Sequence, residues 1–145
     1  MIATTLTDCR MLKDLLGDDW RAYAEAIAEG ETDITCPDGS SEHRMILAAE
    51  IDTVMKEELL ADEYILGCCS AWFIADITDL DFDTIEKAQK NDEMTILGAL
   101  MAHHIDEAQE QMVNHDGYGH HFNHWDGSED EIEIDGHLWH VFVIN

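Results

Sequence analysis

Basic side chains are scarce: seven Lys and Arg stand against 33 Asp and Glu in 145 residues, a formal charge of −26. None of the seven lies beyond Lys90. A surface this negative repels phosphate, which argues against direct nucleic-acid binding and against phosphate-bearing substrates unless metals screen it. Long apolar runs are also missing. The longest uncharged stretch, Tyr64 to Ala75, has 12 residues, too few to cross a bilayer. Met1 to Thr7 lacks the basic and apolar segments of a signal peptide, so a soluble cytoplasmic protein without membrane association is expected. The cysteines, Cys9, Cys36, Cys68 and Cys69, form no CxxC pair, and adjacent residues do not suit disulfide geometry. Free thiols in a reducing compartment follow. Walker, GxGxxG, GxSxG, kinase and zincin signatures are all lacking. The thiols sit in apolar or acidic surroundings that disfavour thiolate. A non-enzyme without a cofactor is expected.

What is present argues for a folded chain. The hydrophobic fraction is 46%, ordinary for a globular domain, and there is enough chain to bury a core. The spacing predicts a helix over Thr7 to Leu16, ended by Gly17, and a second from Asp18 to about Glu29. Residues 30–40 read as a loop. Ser40 or Ser41 caps a third helix with the stripe Leu47, Ala48, Ile51, Val54, Met55 and Leu59. The run from Tyr64 to Ala75, apolar all round, reads as the buried centre. Asp83 is the expected N-cap of a short helix to Lys90. A longer helix from Glu93 to Val113 carries Leu97, Met101, Ile105, Ala108 and Met112, with His104 on that apolar face. Glu131 to Ile134 and Leu138 to Ile144, joined at Asp135-Gly136, read as a hairpin, its last strand a candidate exposed edge. The expected fold class is α+β: one acidic domain over 1–145, helical through 1–114, with a His- and Gly-rich loop and hairpin over 115–145. About five helices pack around an apolar central helix, and the C-terminal β-hairpin is antiparallel.

The charge has a scale. Duplex DNA carries one charge per ~1.7 Å of axis, so 26 charges match about 13 base pairs or about 44 Å. A compact chain of this length is about 38 Å across, so its charge density is close to that of a duplex. A decoy for a Lys/Arg-lined groove is physically reasonable on that basis. The candidate partner-binding acids are Asp18, Asp19, Glu57, Glu58, Asp62, Glu63, Asp76, Asp79, Asp81, Asp83, Glu129, Asp130, Glu131 and Glu133. The plain alternative for any one cluster is a solvated face. For the whole chain it is adaptation to high salt, a halophilic structural protein.

Eight of the nine histidines fall after residue 91. His115, Asp116, His120, His121, His124 and Asp126 are ligand types suited to zinc, iron, nickel or copper. They support a rival: a metal-binding protein, with hydrolase chemistry as one form of it. The glycines there argue for loop rather than the helix that would align His120 with His124, so no metal site is assigned to these residues. His137 and His140 fall on opposite faces of a strand and make poor co-ligands. Protonating all nine histidines near pH 5–6 would bring the formal charge from −26 to −17 and weaken charge-driven binding.

The tail from Asp116 to Ile132, with its Gly117-Tyr118-Gly119 and Asn123-His124-Trp125 segments and the Asp-Gly hairpin behind it, resembles the C-terminal ends of small tailed-phage proteins. The short, acidic, mostly helical profile resembles phage-encoded DNA-mimic inhibitors of restriction enzymes and CRISPR complexes. That resemblance implies stoichiometric inhibition of a basic nucleic-acid-binding host protein, a defence or transcription factor, in the cytoplasm of an infected cell. Catalysis is not part of it, and a homodimer is common. The abundance of histidine departs from the pattern.

Overall fold

The computed structural model describes residues 6–35 and 42–144. The chain divides into two compact units. A terminal unit combines the residues up to Ile51 with those from Asp116 on; a middle unit spans Asp52–His115.

In the terminal unit, α1 (Leu6–Leu16) leads through a single 3-10 turn (Gly17–Asp19) into α2 (Trp20–Ala28). Four antiparallel strands follow: β1 (Asp33–Thr35), β2 (His43–Leu47), β3 (Asp130–Ile134) and β4 (His137–Val143), in the order β1-β2-β4-β3. Side chains alternate across a strand, so Ile132 and Ile134, with Trp139 and Val141, all reach one face. There they meet Leu12, Leu16, Tyr23, Ala26 and Ile27 of the two helices, with Ile34 and Met45 completing the core. The Tyr23 hydroxyl donates to the His43 carbonyl at 2.6 Å, which ties α2 to β2. On the opposite face, Phe122 of α9 (Gly119–Phe122) packs on Phe142 with ring centroids 5.0 Å apart. The Arg44 guanidinium lies over the same Phe122 ring and forks onto Asp33 at 2.9 and 2.7 Å.

The middle unit is helical: α3 (Ile51–Leu60, in this unit from Asp52), α4 (Glu63–Gly67), α5 (Ala71–Thr78), α6 (Phe82–Lys90), α7 (Met94–Ala102) and α8 (Ile105–Asp116, in this unit to His115). Its core is Leu66, Ile74, Ile77, Ile85, Leu97, Met101 and Ala108. Three N-caps set the helix starts. The side chains of Asp62, Ser70 and Asp81 accept from the backbone N–H of Ile65, Phe73 and Thr84 at 3.1, 3.2 and 3.2 Å. The Gln89 amide donates to the Gly67 and Cys69 carbonyls at 3.1 and 2.7 Å, satisfying the end of α4.

The α+β class and the C-terminal hairpin agree with expectation, and Asp135 and Gly136 both take the positive φ (51° and 78°) that a primed two-residue turn requires. Several finer expectations are corrected. Nine α-helical segments occur among the described residues, against about five expected. The region 1–114 is not wholly helical: β1 and β2 lie within it. Leu47, expected to open the α3 stripe, instead ends β2 behind the buried Met45 and Ile46. The expected helix start at Ser40 or Ser41 lies outside the described residues, and α3 begins only at Ile51. β4 is not an edge strand, because β2 and β3 flank it.

The Tyr64–Ala75 run is not a buried central helix either. It breaks at Cys68-Cys69 into α4 and α5, short helices that each bury one side. Leu66 and Ile74 are inside, while Tyr64, Ile65 and Trp72 are exposed. The helix expected over 93–113 is two helices, and the turn at His103-His104 shifts the phase so that His104 faces water. Finally, Asp81 and not Asp83 caps α6. Asp81→Ala is therefore expected to lower stability by about 1 kcal/mol, and Asp83→Ala by at most about 0.5 kcal/mol through the helix dipole. Urea unfolding of the two variants checks the order.

Candidate functional site

The acids expected to form a binding surface divide between the units. In the middle unit, Glu57 and Glu58 lie on α3, Asp62 and Glu63 at the start of α4, and Asp76, Asp79, Asp81 and Asp83 around the α5–α6 turn; all are exposed. Two carry structural duties as well, since Asp62 and Asp81 are N-caps. Asp79 closes α5 in the left-handed region at φ 58°, a conformation that Asp tolerates better than most residues. In the terminal unit, Asp18 is exposed and Asp19 half-buried in the 3-10 turn. Glu129, Asp130, Glu131 and Glu133 are exposed at and before β3.

The α5–α6 turn carries more than charge. Trp72 is 71% exposed and stacks on Phe82 at a centroid distance of 4.1 Å and an interplanar angle of 25°. Phe82, itself half-buried, lies between Asp81 and Asp83 in the chain, so an exposed indole resting on a half-buried ring sits beside the acidic ladder. Tyr64, Ile65, Ile96 and Leu100 are further exposed apolar side chains of this unit. The sequence offered a sign of this: Phe82 is bracketed by aspartates at a helix start, where its ring must project near them. Trp72 was hidden inside a run that reads as core.

Within the histidine-rich segment, hydrogen bonds organise the turn around Asn123 and Asp126. Asn123 Oδ1 accepts from the N–H groups of Trp125 and Asp126 at 2.8 and 3.0 Å, and its amide donates to the Ser128 carbonyl at 2.8 Å. Asp126 Oδ1 accepts from the Ser128 hydroxyl and N–H at 2.7 and 3.0 Å. These bonds from Ser128, the hydroxyl foremost, hold the Asp126 carboxyl below the usual carboxylate range. His124 lies against the end of the sheet, its N–H donating to the Val143 carbonyl at 2.9 Å. His115, Asp116, His120, His121, His124 and Asp126 do not converge on one point among the described residues.

Among the described residues, the ligand-type side chains that converge are instead Glu129, Glu131 and His140, whose donor atoms all lie within 4.8 Å of one another. The two-residue turn at Asp135-Gly136 fixes this. It pairs Ile134 with His137 and hence Glu131 with His140 across the hairpin, and Glu129, two residues back, shares their face. The register was readable from the Asp-Gly turn. The partner that matters to His140 is thus Glu131 across the hairpin, not His137 on its own strand.

The thiols of Cys9, Cys68 and Cys69 are free, and Cys36 lies outside the described residues. Burial pushes the Cys69 thiol up, and the neighbouring Cys68 adds to the shift. No helix among the described residues is long and apolar enough to cross a membrane. Comparison with protein-family models, curated proteins and solved structures gave no match. Fold and site therefore define an acidic α+β protein in two units, and its function must be argued from its own surface.

Proposed function

We propose that this protein is a non-catalytic decoy that occupies the Lys/Arg-lined surface of a nucleic-acid-binding protein, with the α5–α6 turn of the middle unit as its principal contact. The observation that carries this is the exposed Trp72, stacked on the half-buried Phe82, beside the Asp76, Asp79, Asp81 and Asp83 ladder. Charge alone would be a weak basis. Exposed ion pairs are worth about 0–1 kcal/mol each and are screened by salt, so they contribute encounter rate and salt dependence more than affinity. An exposed Trp is different. Aromatic anchors supply a large share of interface energy, and a guanidinium over an indole face gains about 0.5–2 kcal/mol. Carboxylates around an aromatic pair match the chemistry of arginine: a flat cation that stacks on a ring and forks onto oxygen. The same groups repel nucleic acid, in keeping with a competitor of DNA rather than a DNA binder.

The test begins with protein captured at low salt from lysate of a host cell, each candidate then purified and bound to labelled duplex DNA. Excess decoy is expected to displace the DNA, with an affinity that falls steeply as salt rises. Trp72→Ala should weaken displacement about tenfold or more. The triple variant Asp76→Asn/Asp79→Asn/Asp83→Asn, which spares the Asp81 cap, should mainly flatten the salt dependence. A partner that keeps its full DNA binding under a large excess of this protein would sink the proposal.

A further inference from the structure

We propose that Glu129, Glu131 and His140 form a divalent transition-metal site, best suited to zinc, on the face of the C-terminal hairpin opposite the helix-packed core. Nothing in the decoy function requires it, and it stands on separate observations. His140 is buried, with 6% of its surface exposed. Its Nδ1 is shut off from solvent and makes no hydrogen bond, although Glu129 Oε2 lies 3.3 Å and Glu131 Oε1 3.8 Å away. A buried polar nitrogen without a hydrogen bond is costly. Two oxygens near it at such separations, neither in hydrogen-bond geometry, have the arrangement of ligands around a shared ion. Donor atoms each about 2.0–2.2 Å from a tetrahedral zinc lie about 3.4 Å apart.

The surroundings of the ring favour a fixed ligand. Tyr118 packs against the imidazole at a centroid distance of 5.0 Å, and Phe142 lies nearly parallel to it at 6.3 Å. Gly117, in the left-handed region at φ 76°, passes close to the Glu129 carboxylate. The cross-strand pairing of Glu131 with His140 sets the remaining distance. Aromatic rings thus flank the histidine, while both carboxylates reach solvent. Two carboxylates held this close repel each other, and a divalent cation between them turns that repulsion into attraction. One imidazole with two carboxylates suits zinc, with manganese or ferrous iron as weaker fits. The all-oxygen sets preferred by calcium and magnesium do not include imidazole.

The experiment uses the full chain without a tag, stripped with a chelator, then titrated with zinc against a chromophoric zinc chelator at physiological ionic strength. One equivalent is expected to bind, and the ring nitrogen resonances of His140 should shift on binding. His140→Ala empties a buried position and risks the fold. The informative variant is therefore Glu129→Gln/Glu131→Gln, which alters only exposed side chains. It should weaken zinc by at least about 10–100-fold, the loss that outer-shell changes alone can cause, while Glu133→Gln, two residues beyond Glu131 on β3, should bind as the unaltered chain does. Three results would overturn the site: no zinc retained by the unaltered chain, equal affinity in the double variant, or zinc shifts confined to His115, His120, His121 and His124 with His140 unmoved.

Discussion

Gly98→Ala is expected to destabilise the middle unit by about 3 kcal/mol or more, even though it replaces a glycine by the best helix former. Two effects oppose each other. Within a helix, Gly to Ala normally gains about 0.8–1.0 kcal/mol. Here, however, a methyl on Gly98 of α7 would fall inside the van der Waals radius of the Glu63 carbonyl of α4, and one on Gly67 of α4 would meet the Met94 carbonyl of α7 in the same way. Both obstacles are backbone, which no rotamer change relieves, so α4 and α7 must separate. Overpacking in a close-packed core costs about 1–3 kcal/mol and occasionally more, and contact between two backbones belongs at the upper end. The clash should therefore win. Leu66, Leu97 and Met101, buried around this contact, would lose packing together. Urea unfolding followed by far-UV circular dichroism gives the sign directly: a variant more stable than the original chain would mean that the helices do not touch through these glycines. Gly67→Ala should follow the same direction.

Those two glycines also show where the sequence was legible and where it was not. The hairpin was readable because its determinants are local: alternating Ile132 and Ile134, and a dipeptide whose backbone preferences select one turn. The stripe Leu97, Met101, Ile105, Ala108 and Met112 was readable too, and each of these residues is buried in the middle-unit core or packs against it. The break within it was not, since nothing in His103-His104 forbids helix and the turn is set by tertiary packing. The Tyr64–Ala75 run misled for a related reason. Continuous apolar sequence marks burial only when partners exist on every side, and these two short helices pack on one side and leave Trp72 and Ile65 outside. Of the candidate surface, the positions of the acids were legible, because carboxylates stay in water unless paired. The aromatic stack that gives the ladder a second kind of contact depended on how α5 and α6 meet. The Glu129, Glu131 and His140 cluster needed only the hairpin register, carried one step further from turn to facing side chains.

Trp139→Ala is expected to cost the terminal unit about 3–5 kcal/mol, the range for removing a fully buried aromatic from a core. Trp139 is wholly inaccessible and belongs to the cluster of Leu12, Tyr23, Ile27, Met45, Ile132 and Val141. Its register partners are Leu47 of β2 and Ile132 of β3, so the indole spans the middle of the sheet under α1 and α2. A stability of about 5–15 kcal/mol is usual for a domain, so a loss of this size removes a large part of it. Trp139→Phe should behave differently. The indole Nε1 is buried without a hydrogen-bond partner, and leaving such a donor unpaired costs about 1–3 kcal/mol. Phe gives up some contact area but also removes that donor, and the two effects nearly cancel, leaving a net change within about 1 kcal/mol. Fluorescence supplies an independent check. Trp72 and Trp125 are exposed and Trp20 half-buried, so Trp139 should supply the blue-shifted emission. Trp139→Phe should shift the remaining emission to the red while urea unfolding stays close to that of the original chain. If Phe destabilises as much as Ala, the indole N–H has a partner in solution and the ring is held by that bond as well as by packing.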